Sequence, residues 1–221
     1  MVNESDLRLD YLVDPSIQLY QDPNHFCLNT DTRLLAQFMR IKKGESVLDI
    51  GTNNAALLVY ASRFSCSKLI GVEVLPESFE VAQLNVRRFI DGEVELINAP
   101  IQRVEHEPVD VVVSNPPFFE LKEMHPDTRL DLRAKGRFEL NCTLEELVAS
   151  AGRLLKSNGR FYLVHRPDRI FEIFAALHAC RFSVKRMQVA YDRRSKGAKS
   201  LLIEAIKEGH TKTTIEDSLW I

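Results

Sequence analysis

Asn115, Pro116, Pro117 and Phe118 follow Val109–Val113, a run that is apolar at every position but Asp110. Together these residues suit one kind of chemistry. An amine on an aromatic ring is a poor nucleophile because its lone pair is delocalised. The side-chain oxygen of Asn115 and the backbone carbonyl of Pro116 can accept its two N–H groups, favouring a pyramidal nitrogen whose electrons face an electrophilic carbon. Pro117 restrains the residue before it to extended backbone, so the carbonyl direction is set in advance. Phe118 offers a face on which a flipped-out base can stack. An Asn-Pro-Pro corner can also simply end a strand. Its place after two further motifs gives it weight.

The first of these is VLDIGTNNA, in which Asp49 precedes Gly51 in a turn that opens a helix. Such a turn lets backbone approach a ligand, and the helix N terminus beyond it favours a carboxylate or phosphate. The second is Glu73, at the end of LIGVEV and about 20 residues past Gly51, where a carboxylate can accept both ribose hydroxyls of a nucleoside cofactor. NAD would require GxGxxG for its pyrophosphate, and GTNNAA does not supply it. S-adenosyl-L-methionine has no pyrophosphate and is the expected cofactor, with its methionine carboxylate at the Gly51 turn. Val74, beside Glu73, and Ala99, in LINAPIQRV, complete the expected cofactor wall; the latter segment should approach the adenine edge.

Positioning these residues requires strands that end together. From residue 45 onward β-branched runs alternate with amphipathic stretches, the pattern of an α/β fold with a parallel sheet covered on both faces. Strands are expected at Ser46–Ile50, Lys68–Glu73, Val94–Asn98, Val109–Ser114, Arg160–Val164, Phe182–Ala190 and Ser200–Lys207. Helices are expected at Ala55–Phe64, Glu77–Phe89, Leu144–Leu155 and Asp168–Ala179, with Pro76 in a first turn, a Thr143/Glu146 capping box, and Asn158-Gly159 as a stop. The last two strands follow each other without a helix. The expected fold is therefore a Rossmann-like, seven-stranded, mostly parallel sheet with an antiparallel hairpin at its C-terminal edge. Residues 1–44 form an extension over the cofactor site with a helix from Asp31, residues 45–209 the domain, and residues 210–221 a loosely held tail.

The 221 residues are 45% apolar and 27% charged, the balance of an ordinary globular domain. No stretch approaches the ~20 apolar residues of a membrane span, and the polar start does not read as a leader, so a cytoplasmic location is expected. The four cysteines, Cys27, Cys66, Cys142 and Cys180, form no CxxC pair and no cluster with the six histidines. They read as reduced, buried, small apolar residues, and no metal site is expected. A net charge of −2 gives no global attraction to nucleic acid, so RNA contact must come from local patches. The candidates are Arg129, Arg133, Lys135 and Arg137, and the run Arg181, Lys185, Arg186, Arg193, Arg194, Lys196 and Lys199. Each can equally be a solvated face.

With LNTDTRLLAQF, VLDIGTNNA, GVEVLPESFEVAQLNV, SNPPFFE, TLEELVASAGRLLKSNGRFYLVHRPDR and SLLIEAIKEG in place, the chain resembles the small-domain class of adenosylmethionine-dependent methyltransferases. Within it the resemblance is to bacterial tRNA adenine-N6 methyltransferases that modify the adenine beside a valine-tRNA anticodon, and it runs from about Leu19 to Gly209. It implies that Asp49, Gly51 and Glu73 bind cofactor, that Asn115, Pro116 and Phe118 hold the target base, and that Thr30 and Asp31 lie over the cofactor. Asn53 and Ala55 stand where the class commonly has glycine, and Pro100 where many relatives have aspartate. His165 and Arg166 share the same sheet edge, as RNA contacts or as a surface turn before Pro167. The competing readings are guanine-N2 methylation of ribosomal RNA, methylation of a protein glutamine, and RNA binding without catalysis. The number of subunits is left open.

Overall fold

The computed structural model describes residues 4–25, 27–120, 123, 139–194, 197–210 and 212–221. A hairpin of β1 (Arg8–Tyr11) and β2 (Gln18–Gln21) comes first, then helix α1 (Thr30–Phe38). There follow β3 (Ser46–Ile50), α2 (Ala56–Ala61), β4 (Lys68–Glu73), α3 (Pro76–Phe89), β5 (Val94–Asn98) and β6 (Val109–Ser114). After these come α4 (Leu144–Leu154), β7 (Leu155–His165), α5 (Ile170–Ala179), β8 (Phe182–Tyr191) and β9 (Ala198–Lys207). Two short strands, β10 (Thr214–Ile215) and β11 (Leu219–Trp220), end the order.

The central sheet runs β5-β4-β3-β6-β7-β9-β8, parallel from β5 to β7 and antiparallel through β9 and β8. Residues alternate between the two faces of each strand. Val47, Val111 and Val113 point into a core with α1 and α2, while Leu48, Ile50 and Val112 point into a second core with α4 and α5. Each fully buried Val or Leu contributes roughly 1.5–3 kcal/mol, so a strand buried on both faces holds the sheet from both sides. Asp110, the polar exception in β6, accepts from the backbone N–H and hydroxyl of Ser46 at 2.9 and 2.8 Å and from Lys156 at 2.7 Å. Thr143 and Glu146 form the expected capping box on α4, and Pro76 occupies the first turn of α3. Among the described residues no helix is long and apolar enough to cross a membrane.

Several details differ from expectation. The sheet has nine strands rather than seven, because β10 and β11 pair in parallel with the outer edge of β8. The β1–β2 hairpin is too short and too polar to show as a periodic run. Asn158-Gly159 is a bulge inside β7, whose register with β6 passes from Val109–Leu155 to Val111–Arg160, with Asn158 at φ 61°. Helix α2 stops at Ala61 and tightens into a 3-10 turn over Ser62–Phe64. The four cysteines are free but only half-buried.

Candidate functional site

From β3 the chain moves outward to β4 and β5, then returns to β6 and β7 on the other side. The crevice beyond the strand ends at such a reversal is where open α/β sheets take ligands. Asp49 registers with Val113 and Ile50 with Ser114, which brings the Gly51 turn beside Asn115. The Ser114 hydroxyl donates to the Ile50 carbonyl at 2.8 Å and locks the two strand ends. An open cavity lies over this crevice. Its wall contains Asp49, Gly51, Glu73, Val74 and Ala99 on one side, and Asn115, Pro116 and Pro117 on the other.

Backbone groups arrange the first side. Gly51 adopts φ 73°, which glycine takes without steric cost, and a Cβ there would meet nothing within 4 Å. Asn53 and Ala55 also lie in the left-handed region, at φ 51° and 63°. The turn is therefore the one a glycine-rich loop would make, here carried by residues with side chains. The backbone N–H of Asn53 donates to Glu73 Oε2 at 2.9 Å and that of Leu75 to Oε1 at 2.8 Å. These bonds hold the buried carboxylate in place, while burial raises its pKa. Asp49 is buried, accepts the Thr52 hydroxyl at 2.8 Å through Oδ2, and has no partner on Oδ1 among the described residues. Burial pushes its pKa up to about 7, Thr52 opposes the shift, and the nearby Glu73 charge adds to it.

The anion seat expected at the helix N terminus is thinner than the sequence suggests. Gly51 and Thr52 both donate their N–H to the Val72 carbonyl at 2.9 Å, and Ala55 donates to Thr52 at 2.8 Å. α2 itself has six residues. Pro100, which cannot offer a side-chain acceptor, starts a 3-10 turn whose Ile101 carbonyl already takes the Arg153 guanidinium at 3.1 Å.

Side chains arrange the opposite side. Asn29 caps α1: its Oδ1 accepts the N–H of Thr32 at 2.9 Å. The same oxygen lies 3.0 Å from the Thr32 hydroxyl, which must donate because a carbonyl oxygen cannot. With its hydrogen committed, Thr32 Oγ1 can only accept, and it takes the Asn115 Nδ2 amide at 2.9 Å. The polarity of this chain, rather than an arbitrary choice of flip, leaves Asn115 with Oδ1 as its free pole. Sequence reading missed Thr32, although Asn29 three residues earlier is a helix-cap signal that places it.

Other expected residues stand elsewhere. Thr30 opens α1 and Asp31 accepts from the Ser200 hydroxyl; the cavity wall on that side is Cys27, Leu28 and Thr32. Burial raises the Asp31 pKa, opposed by the Ser200 bond and Lys199. Phe118 lies outside the cavity lining, its ring centroid 5.0 Å from that of His165. His165 is buried in the wall rather than part of a surface turn. Arg166 is paired with Asp168 and, at 2.8 Å, with Glu123. Asn85, which the sequence did not single out, is fully buried on α3. It accepts Tyr20 N–H at 2.7 Å and donates to the carbonyls of Tyr20 and Asn54 at 2.8 Å, tying the hairpin to the Gly51 loop.

The second basic run is not one surface. Arg186 is buried, ion-paired with Glu204 and Glu216 and laid over the Phe38 ring at 3.8 Å. A guanidinium so enclosed needs both carboxylates and cannot face a phosphate. Arg181 pairs with Glu208 at the far end of β8, while Arg193, Arg194 and Lys199 are exposed at the edge where β7 ends. Arg129, Arg133, Lys135, Arg137 and Lys196 lie outside the described residues.

The family described as "Methyltransferase small domain" matches residues 16–177. The chain is 30% identical over 134 residues to a tRNA1(Val) (adenine(37)-N6)-methyltransferase of Porphyromonas gingivalis, covering 57% of this chain and 51% of that protein. It is 31% identical over 116 residues to a ribosomal protein L11 methyltransferase of Cupriavidus necator, covering 52% of this chain and 38% of that protein. The chain thus spans about half or less of the length of these curated relatives. In fold it is similar to the crystal structure of a predicted O-methyltransferase from Agrobacterium tumefaciens, with a TM-score of 0.65, 20% identity and 85% of each chain covered.

Proposed function

The chain belongs to the methyltransferase small-domain family, and on that premise we propose that it methylates the exocyclic amine of adenine in transfer RNA. Family and fold imply S-adenosyl-L-methionine as cofactor. The residues present fit it. Asp49 offers a buried oxygen without a partner among the described residues, and Glu73 presents a carboxylate fixed by two backbone N–H groups, each oxygen retaining a lone pair for a ribose hydroxyl. Val74 and Ala99 would flank the adenine of the cofactor. When bound, the cofactor supplies a methyl group activated by a positively charged sulfur.

The observation that carries the reading is the orientation of Asn115, whose amide nitrogen is tied to Thr32 and whose oxygen has no partner among the described residues, at the cavity that also contains Glu73. That oxygen accepts one N–H of the target amine, and the Pro116 carbonyl, restrained by Pro117, accepts the other. Asn115 is oriented before substrate arrives and Pro117 limits the directions open to the Pro116 carbonyl, so little reorganisation is needed at the moment of transfer. Phe118, outside the cavity lining, backs the site by packing on His165. The amine becomes acidic once methylated, and no strong base is required of the protein. At the same sheet edge Trp220, 61% exposed, stacks on Tyr191 at 5.2 Å, with Arg193 and Arg194 beside them. An aromatic platform flanked by guanidinium groups suits the bases and phosphates of unpaired RNA.

Nucleoside mass spectrometry of transfer and ribosomal RNA from a deletion strain tests this: N6-methyladenosine is expected to fall in transfer RNA. Loss of N2-methylguanosine with unchanged N6-methyladenosine would reject it. The relatives named for ribosomal protein L11 support a second reading, methyl transfer to a protein, which gains if labelled methyl incorporation in lysate survives ribonuclease treatment.

A further inference from the structure

His165 ends β7 at the catalytic edge, is fully buried, lines the cavity that holds Asn115, and packs on Phe118. Its Nδ1 accepts the backbone N–H of Arg166 at 2.8 Å, so that nitrogen carries the lone pair. In a neutral ring the hydrogen then sits on Nε2. Burial above all, and then the charges of Arg169 and Arg166, hold the pKa down to about 3, so the ring stays neutral near physiological pH. Nor can it change tautomer without breaking the bond to Arg166. Nε2–H is a fixed donor, and among the described residues it has no acceptor. Buried polar groups nearly always have partners, and a donor orphaned in the wall of a ligand cavity is satisfied when a ligand brings an acceptor.

Resting on the adenine reading above, the chemistry of the bases says which ligand does so. The amine of adenine stands between N1 and N7, and both are acceptors. The amine of guanine stands between N3, an acceptor, and N1–H, a donor. We propose that His165 Nε2–H is a specificity-determining donor that hydrogen-bonds the ring nitrogen beside the target amine: adenine offers it an acceptor on either edge, N1 or N7, whereas guanine offers one only on its N3 edge and meets it donor to donor through N1–H on the other. Such discrimination is strong because a mismatched base leaves buried polar groups facing each other unpaired.

The test uses the full chain and an anticodon stem-loop oligoribonucleotide with adenine beside the anticodon, together with versions carrying 1-deazaadenine or 7-deazaadenine there. Each analogue keeps the amine and replaces one acceptor by C–H. One of the two is expected to lower kcat/KM by roughly 10- to 100-fold in the wild type. In His165→Phe the parent adenine substrate should fall by a similar factor, with no further penalty from that analogue. His165→Gln, whose amide can donate, should recover part of the loss. Equal turnover of all three oligonucleotides by the wild type would overturn the assignment, and so would an analogue penalty that persists in full in His165→Phe. Should the phenylalanine variant fail to fold, the wild-type comparison decides alone. If the parent adenine oligonucleotide is not methylated at all, the substrate reading fails and this inference falls with it.

Discussion

The two sides of the cavity hold their polar groups by different means. Around Glu73 the main chain does the holding, through the N–H groups of Asn53 and Leu75. Around Asn115 the side chains of Asn29 and Thr32 do it, reaching across 83 residues of sequence. Main-chain bonds survive a change of side chain, so the loop can carry Asn53 and Ala55 where the class has glycine and still make its turn. A relay of side chains has no such tolerance. Its three members each have one orientation that satisfies the next, and losing one releases the others. The Glu73 side should therefore tolerate changes of side chain that the Asn115 side does not.

Four measurements would break or sharpen that contrast. The largest effect is expected from Asn115→Ala, which removes the acceptor. Methyl transfer should fall by roughly 100-fold or more while cofactor binding, followed by calorimetry, stays near wild type. Equal loss of both would mean that the two sides are not separable.

Thr32→Val keeps the shape of the side chain and removes the hydroxyl that orients Asn115. A drop of roughly 10-fold in kcat is expected, with cofactor affinity unchanged and activity restored by Thr32→Ser. A loss that serine fails to restore would make Thr32 a packing residue instead.

Around Asp49 and Glu73 the expected signature is pH dependence. Asp49 titrates near 7, so an interaction that requires its carboxylate should weaken by up to about 10-fold per pH unit below that point, and Asp49→Asn should flatten the profile. The sign for stability is opposite. Because the folded pKa lies above the unfolded value of 3.8, the unfolded chain ionises first, and the ligand-free protein should lose stability as pH rises from about 4 to 7. Urea titrations of wild type and Asp49→Asn across that window would show whether the slope belongs to this residue.

The smallest effect concerns the loop itself. Ala55, fully buried at φ 63°, pays a steric cost that glycine avoids, and Ala55→Gly should stabilise by about 0.5–1 kcal/mol in urea unfolding. A destabilised variant would mean that the alanine methyl contributes more packing than the backbone loses in strain.

Much of this architecture was legible beforehand, for physical reasons that also explain the gaps. Val109–Ser114 and Lys68–Glu73 are apolar enough to announce buried strands, and their order placed Asp49, Glu73 and Asn115 at one edge. The β1 and β2 strands, RLDY and QLYQ, are four residues each and largely polar, so no period emerges. Arg186 looked like a member of a basic surface because its partners, Glu204 and Glu216, are distant in sequence. Local pattern reveals which faces are apolar; it does not reveal which charges meet across strands. The same limit hid the Thr32–Asn115 bond and turned His165, a buried ring, into a choice between RNA contact and surface turn.

The terminal strands have a consequence for the protein among its neighbours. A ten-residue edge such as β8 would otherwise offer a row of unpaired N–H and C=O groups to any passing strand. β10 and β11 occupy stretches of that row, and Glu216 between them clasps Arg186 from outside. Shortening the chain after Gly209 would thus do two things at once: strip a buried cation of one counter-ion, and open a sticky border along which copies can zip together. The last dozen residues act as a selvedge, finishing the woven edge so that it does not catch.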